Sequence, residues 1–514
     1  VTKLHSWCVD MELSLPSLED NTADWDRIQV ALKNRFDVSR SIGHISLYRS
    51  LPSIVREAEY KVRCSLFRDR ASYYITGVAP ASQSSFLGVA VDLGTTRYVV
   101  EIVDLVSRAS IVQGNYANPQ GKIGPDILSR IHHASTQEGL EELRTLIIED
   151  LNCRITQLCE KEGLEKKNIV NVAVAGNTAM THLFLGIEPR WIIREPYIPP
   201  LNKLDLMLAR DIGLDVAPGA RLFMFPNVGS YFGGDLFAGI LYCGMHLQEE
   251  ISLFVDVGTN AEVVLGNKDW LIACAGAAGP ALEGGVSKIG KQASPGVIDR
   301  VKFDPEKGSF VWSTIGGLPP VGICGSGIID LAAELFRNGL LDFRGKFVVS
   351  RAPELFVERD GIIHLILVRA EESGTGKDLL ISQPEIDSLI RSKAAMFTIL
   401  ETLAETVGVS LSEISRFYVG GTFGNFIDPR SAITIGMLPD LSLDKFVPLG
   451  NSSLKGAREF LCRPALFEEL LDVERKITYI ELNVNQEFMN KFSAAKFLPH
   501  TDRSKFPSLS SLTF

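Results

Sequence analysis

The sequence predicts an α/β protein in which two similar lobes face each other across a cleft, with a small α+β domain ahead of them. Three observations carry this expectation. First, two strings share one pattern: Val89-Ala-Val-Asp92-Leu-Gly94-Thr95-Thr96 and, much later, Leu253-Phe-Val-Asp256-Val-Gly258-Thr259-Asn260. Second, short apolar runs of strand length alternate with helix-period segments from about residue 87 onward. Third, the polar stretch Ala79-Pro-Ala-Ser-Gln-Ser-Ser85 reads as a linker and sets apart everything before it.

In each string an apolar run ends in Asp, followed by glycine and hydroxyl or amide residues. A buried strand thus delivers a carboxylate and a tight turn to one point. A glycine turn lets backbone N–H groups approach phosphate oxygens, and a strand-end Asp can hold a hydrated divalent cation. One copy would read as an ordinary strand and turn. Two copies imply two lobes, each giving one phosphate loop to a nucleotide in the cleft.

The elements follow in order. Residues 1–86 contain an extended start, a helix over 24–33 and short strands within 60–75. The first lobe, 87–248, opens with a strand over 87–92 and a hairpin partner over 98–105. A helix over 139–161 and an apolar strand over 169–175 come next, the strand ending at Gly176-Asn177-Thr178. The helix that follows carries His182, whose apolar neighbours predict a satisfied core histidine. The segment Pro226-Asn-Val-Gly229-Ser-Tyr-Phe-Gly233-Gly234-Asp235 has small residues that allow close backbone approach before a helix over 236–243.

The second lobe, 249–470, repeats the opening, with strands over 251–257, 262–265 and 270–273. A glycine-rich loop over 275–285, containing Glu283, is expected to close over phosphates. After Cys324-Gly-Ser-Gly327, apolar residues Ile328, Leu331, Ala332, Leu335 and Phe336 fall on one helical face. A long helix opens with the capping pattern Ser382-Gln-Pro384-Glu385 and carries Lys393. A strand over 417–419 then meets Gly420-Gly421-Thr422-Phe423-Gly424-Asn425, where paired glycines suit packing against a flat base and suggest an adenosine site. Residues 471–514 form a tail expected to pack on the lobes.

Composition narrows the function classes. The chain has 514 residues, 46% of them hydrophobic, which is ample for a large core. A net charge of -10 with no basic run argues against nucleic-acid and anionic-membrane surfaces. No apolar stretch of spanning length and no secretory signal appears, so the expected location is cytoplasmic. The eight cysteines (Cys8, Cys64, Cys153, Cys159, Cys243, Cys274, Cys324 and Cys462) are scattered without a CxxC pair or a close cluster of four. They are expected to be reduced and to ligate no metal.

The order of these motifs resembles the actin, sugar-kinase and heat-shock-chaperone superfamily of ATPases, whose lobes are ribonuclease-H-like. Within that superfamily, Val174-Ala-Gly-Asn-Thr-Ala-Met-Thr-His-Leu-Phe-Leu-Gly186, Pro320-Val-Gly-Ile-Cys-Gly-Ser-Gly-Ile-Ile-Asp330 and Gly420-Gly-Thr-Phe-Gly-Asn-Phe-Ile-Asp-Pro429 are similar to reductive activators of corrinoid proteins. The similarity extends to Leu15-Pro-Ser-Leu-Glu-Asp-Asn21 near the start and Tyr479-Ile-Glu-Leu-Asn483 in the tail, so it spans nearly the whole chain.

The resemblance implies ATP-dependent reduction of a Co(II) corrinoid protein to Co(I), with the corrinoid protein as partner and a homodimer as the assembly. It implies ATP and Mg²⁺, the metal held through water by Asp92 and Asp256. Nucleotide contacts are expected from Gly94, Thr95, Thr96, Gly258, Thr259, Asn260, Gly420, Gly421, Phe423 and Gly424. Lys393 is expected to pack on adenosine, with an exposed helix lysine as the equal alternative. Asn177 would orient the attacking water, or serve only as N-cap of its helix. The segments 229–239 and 428–436 match the connecting helices. Such activators usually also carry a [2Fe-2S] domain at the N-terminus, or clusters at the C-terminus, whose cysteines are not in this sequence; either that domain precedes Val1 and was removed, which the start without Met favours, or the protein does not transfer electrons itself. A small-molecule kinase, for which no base carboxylate stands out, and a nucleotide-dependent binding protein are the alternatives.

Overall fold

A computed structural model describes residues 4–510, apart from positions 39, 71, 83–84, 258–260, 277–286, 422–426 and 481–485. The chain forms two compact units, Val1–Tyr242 with Ser452–Arg475, and Cys243–Asn451 with Lys476–Phe514. The sequence places 249–470 in one lobe, whereas the helices Ser452–Cys462 and Ala465–Lys476 pack within the first unit.

The first unit begins with a four-stranded sheet in the order Cys8–Glu12, Lys61–Arg68, Tyr73–Pro80, Ser41–Gly43, with helices Asp24–Phe36 and Ile45–Glu57. The strand Tyr73–Pro80 takes in the first two residues of the expected linker. The helix Ile45–Glu57 was not expected, because Pro52 lies inside it and masks its period.

Behind this sheet lies a six-stranded one, ordered Ser110–Ala117, Arg97–Asp104, Leu87–Leu93, Ile169–Gly176, Arg221–Met224, Met207–Leu208. Leu87–Leu93 pairs antiparallel with Arg97–Asp104 and parallel with Ile169–Gly176, which pairs parallel with Arg221–Met224. All eight residues of Ile169–Gly176 are buried, as a strand covered on both faces must be.

The second unit repeats this order in five of its six strands, the remaining one, Ile477–Tyr479, lying beside the meander instead of the last parallel strand. Its six-stranded sheet runs Phe446–Gly450, Arg416–Gly420, Ser252–Val257, Ala261–Gly266, Leu271–Gly276, Ile477–Tyr479. Ser252–Val257 pairs antiparallel with Ala261–Gly266 and parallel with Arg416–Gly420, which in turn lies parallel to Phe446–Gly450. In both units the first three strands form a meander, the fourth adds parallel to the first, and a further strand, Arg221–Met224 or Phe446–Gly450, adds parallel to the fourth. Two shared sequence strings have become two copies of one topology. Two three-stranded sheets, built on Val297–Asp304 and Ile362–Val368, are additions of the second unit.

The small domain is cemented to the first lobe by rings. Phe460 stacks on Phe223 at 4.3 Å and meets Phe225 at 5.2 Å, Phe67 at 6.1 Å and Phe467 at 6.2 Å. Trp7 lies edge-on to Phe67 and donates its indole N–H to the Phe460 carbonyl at 3.0 Å. Asn171, inside the buried strand, donates to the Leu66 carbonyl. Around the rim, Arg68 pairs with Glu468, and Arg70 and Lys203 both reach Glu474.

Phe460→Ala opens a cavity at the meeting point of these rings and should cost about 3–5 kcal/mol. Thermal unfolding followed by circular dichroism checks this; a loss within the range of surface substitutions would mean that the ring cluster is not the cement.

Candidate functional site

Parallel strands bring their carboxyl ends to one edge, where ligands of open α/β sheets bind. In the first unit the register sets Asp92 opposite Ala175 and Leu93 opposite Gly176. The chain then turns through Gly94, Thr95 and Thr96 into the strand Arg97–Asp104. A Cβ on Gly94 would lie 2.4 Å from the Arg97 carbonyl oxygen, so only glycine permits this hairpin.

Asp92 is half-buried and accepts a hydrogen bond from Ser453 Oγ at 2.8 Å. Ser453 sits in the first turn of Ser452–Cys462, which packs closely on Gly234–Cys243: a Cβ on Gly456 would lie 2.0 Å from the Ala238 carbonyl oxygen. Sequence reasoning missed Ser453. The only hint was the pair of small polar residues after Gly450-Asn451.

Asn177 links two elements. Its Oδ1 accepts from the Met180 N–H at 2.9 Å, making it the N-cap of Thr178–Leu185, and its Nδ2 donates to Thr95 Oγ1 at 3.0 Å. The N-cap alternative is therefore realised, and the same side chain also fastens the turn over 94–96. Gly233 lies against it, with room for a Cβ denied by Asn177 Cα at 2.5 Å and the Gly176 carbonyl at 2.7 Å. The next helix, Gly234–Cys243, carries a second carboxylate, Asp235, in its first turn. His182 is buried, with Nδ1 on the Thr178 carbonyl and Nε2 accepting from the Leu201 N–H; burial lowers its pKa. It is the core histidine its surroundings predicted.

The second unit places Asp256 opposite Gly420 in the parallel pair. Gly421 adopts φ 73, and a Cβ there would meet Asp256 Oδ1 at 2.8 Å and the Val257 carbonyl at 3.0 Å. Asp256 and the glycine pair, two separate motifs in the sequence, thus share one strand end. Gly258, Thr259, Asn260, Phe423, Gly424 and Glu283 lie outside the described residues.

Lys393 is a correction. It is wholly buried in Gln383–Thr406, and its Nζ donates to the carbonyl oxygens of Phe497 at 2.5 Å and Pro499 at 2.7 Å. Burial pulls its pKa well below that of an exposed lysine. An ammonium enclosed by tail carbonyls is neither the exposed alternative nor free to stack on a base. Helical spacing could not reveal this, because its partners lie about a hundred residues on, in the tail.

No group of three or more His, Cys, Asp or Glu placed to hold a metal occurs among the described residues. All eight cysteines are free thiols, five of them buried. These residues do not fit an iron–sulfur cluster.

The model of the C-terminal domain of RACo, the ASKHA domain, matches residues 250–510, just over half of the sequence. The chain belongs to the RACo family. The models of the RACo middle region and the RACo linker region match 87–248 and 5–85. The RACo-family chain is 32% identical over 413 residues to the corrinoid activation enzyme RamQ of Eubacterium limosum, covering 79% of this chain and 69% of that protein. It is 26% identical over 443 residues to the [Co(II) methylated amine-specific corrinoid protein] reductase of Methanosarcina barkeri, covering 78% and 75%. A solved reductive activator for corrinoid,iron-sulfur protein superposes with a TM-score of 0.86 at 40% identity, over 99% of this chain and 81% of that one.

Two variants separate the site from the clasp. Gly94→Ala should weaken ATP binding by an order of magnitude, roughly 1.4 kcal/mol, in a calorimetric titration. Lys393→Met should leave ATP affinity unchanged while proteases cut within 486–510 faster; a weakened affinity with an intact tail would restore Lys393 to the nucleotide site.

Proposed function

We propose that this chain is the ATPase of a reductive activator that returns a Co(II) corrinoid protein to Co(I). The reading rests on one observation above others: each unit ends its central strand in an aspartate beside a glycine turn, on the same strand order, within a chain of the RACo family. The names of its relatives supply the partner class, a corrinoid protein. We further propose the division of the sequence into 1–86, 87–248, 249–470 and 471–514, with the helices over 452–475 packed in the first unit, a cytoplasmic location and a homodimer. No helix among the described residues is long and apolar enough to cross a membrane.

The roles follow from the chemistry of each group. Gly94, Thr95 and Thr96 offer backbone N–H groups and hydroxyls to phosphate oxygens, and Gly258, Thr259 and Asn260 do the same from the second lobe. Gly420, Gly421, Phe423 and Gly424 receive the adenosine. Asp92 and Asp256 would hold magnesium through water; both are half-buried carboxylates at strand ends, a donor set that suits a hard cation. Magnesium supplies charge neutralisation on the phosphates. Asn177 retains one N–H and one lone pair with which to orient the attacking water.

Reaching Co(I) is a one-electron step in which each ~59 mV of unfavourable potential costs tenfold in the equilibrium constant, which is the reason to couple it to ATP. The electron comes from a reductant outside these residues, the [2Fe-2S] cluster of a separate domain in our reading, since the cysteines here do not fit one.

The test is magnesium-dependent ATP hydrolysis with and without a Co(II) corrinoid protein. Stimulation by the corrinoid protein is expected. Asp92→Asn and Asp256→Asn should each reduce turnover about a hundredfold or more with the circular dichroism spectrum intact. Full turnover in both variants would remove these carboxylates from the site, and hydrolysis indifferent to any corrinoid protein would remove the partner.

A further inference from the structure

Arg130 is an anomaly on the first lobe. It is 1% exposed, yet no carboxylate pairs with it among the described residues. Its Nε donates to the Gly124 carbonyl at 2.8 Å and its Nη1 to the Thr95 carbonyl at 2.7 Å; Gln120 Oε1 at 3.4 Å and Met180 Sδ at 3.6 Å complete its surroundings. Burial lowers its pKa to about 10, and Asp126 opposes that shift only through its field. A buried guanidinium without a counter-charge is costly, and such charges are normally paired.

Asn118, also buried, works beside it. Its Nδ2 donates to the Gly94 carbonyl at 2.9 Å, and its backbone N–H to the Thr96 carbonyl at 2.9 Å. Three successive carbonyls of the phosphate loop, those of Gly94, Thr95 and Thr96, are therefore drawn to the Asn118 and Arg130 side. Because a trans peptide is planar, with N–H opposed to C=O, this turns the N–H groups of Thr95 and Thr96 the other way. Neither of those amides has a protein acceptor among the described residues.

We propose that Arg130 and Asn118 are positioning residues for nucleotide binding: they aim the loop's amides at the polyphosphate, whose negative charge is the counter-charge that Arg130 lacks. The inference rests on the ATPase reading above and deepens it. Neither residue touches the nucleotide. Arg130 polarises the Thr95–Thr96 peptide through its carbonyl, which strengthens the opposite N–H as a donor. Its effect must therefore scale with phosphate number and vanish for a ligand with none.

The experiment compares ATP, ADP and adenosine on the full chain, by calorimetry for the nucleotides and ligand-observed NMR for adenosine. In Arg130→Met, ATP affinity should fall roughly tenfold to a hundredfold, the worth of a hydrogen bond to a charged group. ADP should lose less and adenosine nothing. Arg130→Lys, which keeps the charge and a donor for Thr95, should recover part of the ATP loss. Asn118→Leu, close in volume and uncharged, gives an independent arm if the Arg130 variant fails to fold, and should show the same grading. Equal losses for all three ligands, or none for ATP, would overturn the proposal and leave the two residues a role in stability only. A wild-type chain that binds none of the three would instead overturn the ATPase reading itself.

Discussion

The parallel pairing between the first and fourth strands of each six-stranded sheet is the constraint on which the site depends. Its register fixes which residue of the fourth strand stands beside the aspartate: Ala175 for Asp92 and Gly420 for Asp256. A slip of one residue would turn each aspartate to the other face and bury it. The same register makes Gly176 and Gly421 equivalent positions in the two copies. In the first copy the next residue, Asn177, caps a helix and fastens the turn at Thr95; in the second, Gly421 closes against the carboxylate of Asp256.

Around this shared frame the two units diverge in what supports them. The first lobe is backed by the small domain, through rings that converge on Phe460 and a hydrogen bond from Asn171 to Leu66. Asn171 lies on the strand that ends at Gly176, so the small domain braces the strand that carries Asn177. The family description of this region as a linker concerns its place in the chain; its packing is that of a domain core.

The second unit is braced from its end. Lys393 on the long helix binds two carbonyls of the tail, Lys505 reaches Glu401 and Lys491 reaches Glu405 on the same helix, and Gly436 admits the Pro499 carbonyl. The tail thus completes the unit's core, with Leu498 and Phe506 buried. A fully desolvated lysine is tolerable there because its Nζ donates to two backbone carbonyls.

The sequence by itself determined the repeated strand-and-turn, and with it the two lobes, the aspartates and the glycine pair, because these depend on period-2 burial and on positions where only glycine fits. It also determined that His182 belongs to a core. The roles of Ser453, Asn118, Arg130 and Lys393 were decided only by the tertiary structure. Each acts on an atom distant in the chain: Ser453 on Asp92, Asn118 on Gly94, Arg130 on Thr95, Lys393 on the tail. Three of these four bonds end on a backbone carbonyl, a group every residue carries and no sequence pattern marks.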